Sequence, residues 1–377
     1  MMFKYVINCR PYNHPEQVVH LALEDGRIHH IEYILPKNSD VIFDAENRIA
    51  APGLIDTHVH GCGGGNPSDG KKSSLRTMAA TLCRLGTTSF YATSFYCPGS
   101  DTAYLKLMAD YKSGILDADC LGIHLEGPFI NPKRKGGIPS NCLTTPDERV
   151  FLDILKVCND RLSIMTLAPE LDHSDKILNI CHKKGIVASF GHSDANFNEA
   201  REGLKQGIGL VTHITNAMRP FNNRKPGPLP AILESGIPVQ IISDGVHLHP
   251  ETVSFIYHIL GPDRCICITD GIEATGLKDG EYIFQGKPYK SENGAAFYSD
   301  GSGLIGTSLS LFDIMMRFKK FTDCSLYEAV KTAAENPAVC LGVDDRKGFI
   351  KSGYDADIIF INKNDTLHAV MKAGKLV

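Results

Sequence analysis

From Leu54 onward, short apolar runs alternate with stretches whose apolar residues recur every three or four positions. The short runs predict buried β-strands, and the second pattern predicts amphipathic helices. The eight strand candidates are 54–60, 88–95, 121–128, 161–170, 186–193, 209–218, 239–247 and 265–272. Helical stretches between and around them include 73–85, 102–111, 146–158, 175–184, 198–206 and 251–260. This alternation favours an α/β fold built as a (β/α)8 TIM-like barrel over an open doubly wound sheet.

The two ends of the chain have a different pattern, of short strands and turns. These runs are too short to enclose a core at either end alone. We therefore expect residues 1–52 plus 340–377 to form one small β-sandwich domain, with the barrel, residues 53–339, inserted between them. Within the barrel, residues 276–305 are glycine-rich and polar, which predicts a hairpin-like insertion.

Composition narrows the class of protein. A chain of 377 residues with 43% hydrophobic residues can bury a large core. The net charge of −4 gives no basic footprint for nucleic acid. No apolar run is long enough to span a membrane. The twelve cysteines are scattered without a CxxC pair, and no apolar signal region follows Met1, so we expect a reduced, cytoplasmic protein.

The first predicted barrel strand ends in two histidines, His58 and His60. Side chains in a strand alternate between faces, so both histidines point the same way, with Asp56 below them. Two imidazoles at a strand end could bind a divalent metal, or they could be polar residues on the wet face of a surface strand.

Ligand-type side chains recur at the same end of other strands, which favours the metal. The carboxyl ends of parallel strands meet at one rim of a barrel, where such folds hold their active sites. Besides the two histidines, the strand ends offer Glu126, His192, His213 and Asp270.

Together these motifs resemble the amidohydrolase superfamily and, within it, the N-acetylglucosamine-6-phosphate deacetylases. The matching motifs are His58-x-His60, His124-Leu-Glu126-Gly-Pro, Gly191-His192-Ser193, Thr212-His213-x-x-Asn216-Ala217-Met218, Asp244-Gly-x-His247 and Thr269-Asp270. The fourth strand, 161–170, lacks the lysine that hydantoinases and dihydroorotases carry there. The resemblance covers nearly the whole chain.

The resemblance implies a role for each residue of this set. Glu126, His192 and His213 are expected to bind one metal. His58 and His60 resemble the branch of the family that has a second metal, bridged by Glu126, so one or two ions are expected per subunit. These ligands suit Zn²⁺, Fe²⁺, Mn²⁺ or Co²⁺. Asp270 is expected to transfer the proton from water to the leaving nitrogen. His124 is not a ligand in the family and is expected to line the barrel.

The resemblance also implies a substrate site and a homodimer. The expected substrate contacts are Gly137, Asn216, Ala217, Arg224, His247, Leu304, Ile305 and Gly306. In the family the arginine comes from the neighbouring subunit. Without the resemblance, Arg224 and the run 133–135 are interpreted as solvated surface charges.

The chain departs from the family pattern at Ile138, where the family usually has a histidine close to the substrate. The reaction implied is hydrolysis of the acetamide of N-acetylglucosamine 6-phosphate in amino-sugar catabolism. Because Ile138 cannot donate a hydrogen bond, the alternatives are N-acetylgalactosamine 6-phosphate, another N-acetylated amino sugar, or a different small N-acyl compound. A metal-free sugar-phosphate sensor is the non-enzymatic alternative, but a sensor has no use for Asp270.

Overall fold

The structure is a computed structural model that describes residues 3–284, 286–301 and 303–377. Its centre is a sheet of eight parallel strands in sequential order. These strands are β6 (Leu54–Val59), β7 (Thr87–Ser94), β8 (Asp119–Glu126), β9 (Leu162–Leu167), β10 (Val187–Phe190), β11 (Leu210–Val211), β12 (Val239–Ile241) and β13 (Cys265–Cys267).

A helix follows each strand. The eight helices are α1 (Lys72–Arg84), α2 (Ala103–Asp110), α3 (Glu148–Cys158), α4 (Ser174–Lys184), α5 (Phe197–Lys205), α6 (Leu229–Glu234), α7 (Pro250–Leu260) and α8 (Leu311–Thr322). Short 3₁₀ turns lie at Pro67–Asp69, Pro132–Arg134, Ser140–Cys142 and Pro262–Arg264. After α8, a π-helical turn at Lys331–Glu335 joins α9 (Leu326–Val330) to α10 (Asn336–Cys340). The predicted (β/α)8 barrel is confirmed.

Both chain ends contribute to a second sheet. Its strands are β1 (Lys4–Pro11), β2 (Val19–Glu24), β3 (Arg27–Glu32), β4 (Asp40–Asp44), β5 (Ile49–Pro52), β18 (Ile358–Ile361), β19 (Leu367–Lys372) and β20 (Lys375–Leu376). They pair in the order β20-β19-β18-β5-β1-β2-β3, and β4 pairs with the first half of β1. A separate apolar core, including Leu21, Ile28 and Phe360, supports this sheet. The domain limits at 52/53 and 339/340 stay a prediction.

Residues between the last barrel strand and α8 form a four-stranded antiparallel sheet: β14 (Gly280–Phe284), β15 (Lys287–Glu292), β16 (Ala295–Tyr298) and β17 (Leu304–Thr307). Its inner side packs on apolar residues from the loops that follow the second, third and eighth barrel strands, among them Phe95, Ile138 and Ile272. The insertion therefore walls the rim where the strands end.

The opposite end of the barrel is joined to the terminal sheet by a buried group of charges. Lys347 Nζ lies 2.6 Å from both Asp119 and Asp357 and 2.9 Å from Asp355. Lys372 Nζ lies 2.8 Å from Asp119 and 2.9 Å from Asp357. Asp119 begins the third barrel strand, so this Asp119 charge cluster ties the last strands of the chain to the barrel.

Ten of the twelve cysteines are free thiols, including the buried pair Cys265 and Cys267. The structure departs from the expectation of a fully reduced chain at Cys97 and Cys142, which form a disulfide. These two residues follow different barrel strands, so no sequence spacing announces the pair. Among the described residues, no helix combines the length and apolar character needed to cross a membrane.

Candidate metal centre and active site

The six side chains singled out at the strand ends converge at one rim of the barrel. They lie on or just beyond the ends of β6, β8, β10, β11 and β13: His58 and His60, Glu126, His192, His213 and Asp270. The five histidine and glutamate side chains are buried, whereas the side chain of Asp270 is 15% exposed. Five strands thus bring polar groups far apart in sequence into one shielded cluster.

The backbone turns sharply where three of these residues leave their strands. The φ angles of His192, His213 and Asp270 are 49°, 27° and 48°. Positive φ is uncommon for residues other than glycine and concentrates at functional sites. Here it ends the strand and turns the side chain over the barrel mouth.

Glu126 is the centre of the cluster, because each of its carboxylate oxygens faces one pair of histidines. Oε1 lies 2.7 Å from His192 Nε2 and 2.9 Å from His213 Nε2. Oε2 lies 3.3 Å from His60 Nε2 and 3.7 Å from His58 Nε2. One carboxylate is thus shared between two imidazole pairs.

Hydrogen bonds at Nδ1 determine which ring nitrogen carries the proton and which presents its lone pair to Glu126. His192 Nδ1 lies 2.7 Å from the carbonyl oxygen of Arg134, and a carbonyl only accepts, so Nδ1 carries the proton. His58 Nδ1 likewise faces Oε1 of Gln240 at 3.4 Å, while the Gln240 amide donates to Thr57. In the neutral rings, both Nε2 lone pairs point at the carboxylate.

This donor set fits divalent metal. The Nε2 atoms lie 3.1 Å apart in the His58–His60 pair and 3.2 Å apart in the His192–His213 pair. Two nitrogens bound to one tetrahedral Zn²⁺ are about 3.3 Å apart. Lone pairs crowded around a carboxylate repel one another unless a cation or added protons lie between them. Each pair, together with Glu126, therefore forms a group of three ligand atoms at coordination spacing.

Electrostatics in the cluster keep the carboxylate ionised. Burial alone would raise the pKa of Glu126, but the facing His192 and His58 hold it well below its usual range. Burial would lower the pKa of His60 and of His213, yet the hydrogen bond and charge of Glu126 raise both. The ionised carboxylate thus gives this buried site a negative potential, which favours positive charge there.

Asp270 lies beside the His58–His60 pair, with its Oδ1 3.4 Å from Nε2 of each. The neighbouring Thr269 donates to Asp56 Oδ2 at 2.6 Å. Burial raises the pKa of Asp56 to about 7, against the hydrogen bonds from Thr269 and the His58 amide. These contacts hold the last barrel strand against the first and place Asp270 beside the His58–His60 pair.

His124 lies outside this group. Its Nδ1 donates to the carbonyl oxygen of Thr57 at 3.0 Å, which leaves Nε2 to accept from the Thr166 hydroxyl at 2.8 Å. Both ring nitrogens are therefore used inside the barrel, in accord with its expected barrel-lining role.

Several of the expected substrate-contact positions surround the cluster. A Cβ on Gly136 would lie 3.4 Å from His192 Cε1 and 3.8 Å from Ala217 Cβ. A Cβ on Gly137 would lie 4.0 Å from a methyl of Ile305. Leu304, Ile305 and Gly306 belong to β17, and a Cβ on Gly306 would meet the Asp270 carbonyl oxygen at 2.5 Å. Asn216 follows the sixth strand, and its backbone amide donates to the His213 carbonyl. The insertion and two strand loops therefore form the walls of the site.

His247 and Arg224 differ in their surroundings. His247 Nδ1 bonds Asp244 Oδ2 at 2.6 Å, and Asp244 also accepts the His247 amide, so this imidazole is held with Nε2 left for another partner. The exposed Arg224 side chain forms no ion pair with any residue in the described ranges.

Sequence reasoning missed the residues that support the ligands. Arg134, interpreted as a solvated charge, instead lies 2.8 Å from Asp194, whose pKa the hydrogen bonds from Arg219 and Arg134 lower to about 2 despite partial burial. Ile138 is 2% exposed in the apolar cluster below the insertion, and the Tyr298 hydroxyl lies 3.9 Å from the Cβ position of Gly137. These contacts join distant segments, so no local signal could have found them.

Comparison with known proteins identifies the family of the chain. The amidohydrolase family pattern matches residues 49–377. The N-acetylglucosamine-6-phosphate deacetylase of Bacillus subtilis is 34% identical over 353 residues, covering 92% of this chain and 89% of its own. The chain belongs to the N-acetylglucosamine-6-phosphate deacetylase family of amidohydrolases.

Solved structures of this deacetylase family share the whole fold. The Pasteurella multocida enzyme superposes with a TM-score of 0.90 at 25% identity and covers 100% of both chains. A mutant of the Mycobacterium smegmatis enzyme, solved in complex with N-acetyl-D-glucosamine-6-phosphate, has a TM-score of 0.88 at 26% identity, covering 100% of this chain and 98% of its own.

Proposed function

We propose that the chain hydrolyses the acetamide of N-acetylglucosamine 6-phosphate to glucosamine 6-phosphate and acetate, in amino-sugar catabolism. The observation that carries this proposal is the Glu126 carboxylate, shared between the His192–His213 and His58–His60 pairs at the barrel rim. The proposed substrate is that of the family relatives, which are N-acetylglucosamine-6-phosphate deacetylases.

Glu126, His192 and His213 would hold one divalent metal, and Glu126 with His58 and His60 could hold a second. Such an ion supplies a Lewis acid that activates water and polarises the acetyl carbonyl. Imidazole and carboxylate ligands suit Zn²⁺, Fe²⁺, Mn²⁺ or Co²⁺.

Asp270 is the proposed proton carrier. Its side chain reaches the metal ligands yet is 15% exposed, so water and substrate can approach it. An amide resists hydrolysis because water is a poor nucleophile and an amine anion a poor leaving group. A carboxylate that takes a proton from water and then protonates the departing nitrogen answers both difficulties.

The remainder of the sugar phosphate is assigned to the walls of the site. Gly137, Asn216, Ala217 and the β17 residues 304–306 would contact the sugar, and His247, oriented by Asp244, would donate to the phosphate. Exposed Arg224 would complete the phosphate site of a neighbouring subunit in a homodimer, because its guanidinium can pair two hydrogen bonds with a phosphate.

Two exposed apolar residues support the homodimer. Phe255 and Ile259 lie four residues apart on α7, so they share one face of that helix, and each is about half exposed. A cytoplasmic location is supported by the ten free cysteines, since thiols persist in reducing compartments.

The test is an acetate-release assay on chain stripped with a chelator and refilled with single divalent ions. N-acetylglucosamine 6-phosphate should give the highest kcat/KM, followed by the galactosamine epimer and then unphosphorylated N-acetylglucosamine. Refilled Glu126→Gln protein serves as the inactive control.

Absence of acetate release from every N-acetylhexosamine 6-phosphate with all four metals would overturn the proposal. Equal rates for phosphorylated and unphosphorylated sugars would instead contradict the proposed phosphate-binding site and favour another N-acyl substrate.

A further inference from the structure

One carboxylate, that of Asp194, joins the loops that follow the three strands carrying Glu126, His192 and His213. Asp194 Oδ1 accepts from Arg134 Nε at 2.9 Å, in the loop after the third strand. Asp194 Oδ2 accepts from Arg219 Nη2 at 2.9 Å, in the loop after the sixth strand. Asp194 itself follows the fifth strand.

Arg134, which donates to Asp194, also forms a direct hydrogen bond with His192. The backbone carbonyl of Arg134 accepts the His192 Nδ1 proton at 2.7 Å, and the amide of Asn131 donates to the His192 carbonyl at 2.9 Å. The 131–134 segment is thus fastened to His192 at both ends. An acceptor on Nδ1 fixes the tautomer and the orientation of a histidine ligand.

A second carboxylate, that of Glu170 in the loop after the fourth strand, accepts hydrogen bonds from the same segments. It accepts from Asn131 Nδ2 at 2.9 Å, from Ser193 Oγ at 2.7 Å and from the Asp194 amide at 2.7 Å. The loops after four consecutive strands therefore meet in one hydrogen-bonded group. We name Arg134, Glu170, Asp194 and Arg219 the Asp194 cluster.

We propose that Asp194 and Arg134 are positioning residues for the metal site, acting through the Arg134 carbonyl on His192. The inference rests on the proposed function only in taking His192 as a metal ligand. The Asp194 side chain is 10% exposed, so its ion pairs are screened less than those on the open surface. Together with Arg219, the pair holds the loops of three ligand-bearing strands and so sets the spacing of the metal ligands.

The decisive variant is Arg134→Met, which removes the guanidinium but leaves the backbone carbonyl that His192 uses. An ordinary surface ion pair contributes little to stability and nothing to metal binding. If the guanidinium positions the carbonyl, Arg134→Met and Asp194→Asn should each weaken Zn²⁺ binding by about 10- to 100-fold. Arg134→Lys, which keeps the charge and one donor, should recover part of that loss.

Zn²⁺ affinity is measured by competition with a chromophoric chelator, and the melting temperature of the metal-free protein is recorded for each variant. Lys133→Met is the matched control, because Lys133 is in the same turn but is 78% exposed and 3.7 Å from Asp194. It removes the same charge and should change Zn²⁺ affinity by less than about twofold. In the double variant Arg134→Met/Asp194→Asn, the losses of Zn²⁺ affinity should not add, because the two residues act as one unit.

A Zn²⁺ affinity within twofold of the native value in folded Arg134→Met protein would overturn the proposal. An equal loss in Lys133→Met would also overturn it, since net charge would then explain the effect. Should Asp194→Asn fail to fold, Arg134→Met and Arg134→Lys still decide the question. Failure of native protein to release acetate would remove the proposed function but leave this comparison of metal affinities intact.

Discussion

The backbone amide of Asp270 donates a hydrogen bond to the carbonyl oxygen of His58 at 3.0 Å. This bond joins the last barrel strand to the first, and a second, from the His60 amide to the Gly271 carbonyl at 2.8 Å, continues the junction. The same two hydrogen bonds therefore close the barrel and place Asp270 beside the His58–His60 pair.

Replacement of Asp270 by Asn should leave metal bound but remove activity. Asn keeps the size of the side chain but cannot carry the proton, so kcat should fall by at least about 100-fold. Metal analysis and acetate release on the same sample check this. Asp110→Asn, at an exposed ion pair on α2, is the control for loss of a carboxylate. A near-normal kcat in Asp270→Asn would remove its assignment as proton carrier.

His60→Asn should lower the metal content from two ions per chain to one. His60 Nε2 contacts the His58–Glu126 side of the cluster, while the His192–His213 pair is unchanged. Elemental analysis after saturation with Zn²⁺ and desalting gives the count. If native protein already binds a single ion and the variant keeps it, the proposed second metal site is wrong.

Mixing an inactive variant, Asp270→Asn, with a variant of weakened substrate binding, Arg224→Met, tests whether Arg224 acts in the neighbouring subunit. In a mixed dimer of Asp270→Asn and Arg224→Met chains, one site has its own Asp270 and receives the intact Arg224 of the other chain. Re-association should therefore restore activity at that site, with a native KM. Arg224→Met alone should raise KM for the phosphorylated sugar because the phosphate loses paired hydrogen bonds. Mixtures that keep the raised KM of unmixed Arg224→Met protein would show that Arg224 acts within its own chain or not at all.

The Asp119 charge cluster should make stability depend on pH in acid. Burial would raise the pKa of Asp119, but Lys347 and Lys372 lower it below 3.8. A lowered folded pKa stabilises the protein above the unfolded value, and this contribution is lost as pH falls through the folded value. Asp119→Asn should therefore lower the melting temperature at pH 7, and the difference from native protein should shrink below about pH 3.8. A difference that is constant or grows in acid would contradict this.

The alternation of apolar runs predicted the barrel because each strand is buried on both faces, which leaves a strong local pattern. The strand ends were less predictable. The candidate 209–218 contains only β11, since the chain turns through positive φ at His213, Thr215 and Ala217.

Within the site, the ligand-type residues could be found from sequence because each stands out as a polar group at the end of an apolar strand. Their supporting contacts could not. Arg134 and Asp194 are 60 residues apart, and nothing in the basic run 133–135 marks Arg134 as the residue that donates to Asp194 at 2.9 Å. The Cys97–Cys142 disulfide was missed for the same reason.

The strand β5 lies between β1 and β18, so one of its edges is covered only by residues close to the carboxyl end of the chain. During synthesis on the ribosome, β5 emerges early, and its open edge must wait until nearly the whole barrel has been translated. An uncovered strand edge can pair with other chains. Folding of the nascent protein therefore depends on keeping this edge apart from other chains until β18 is released.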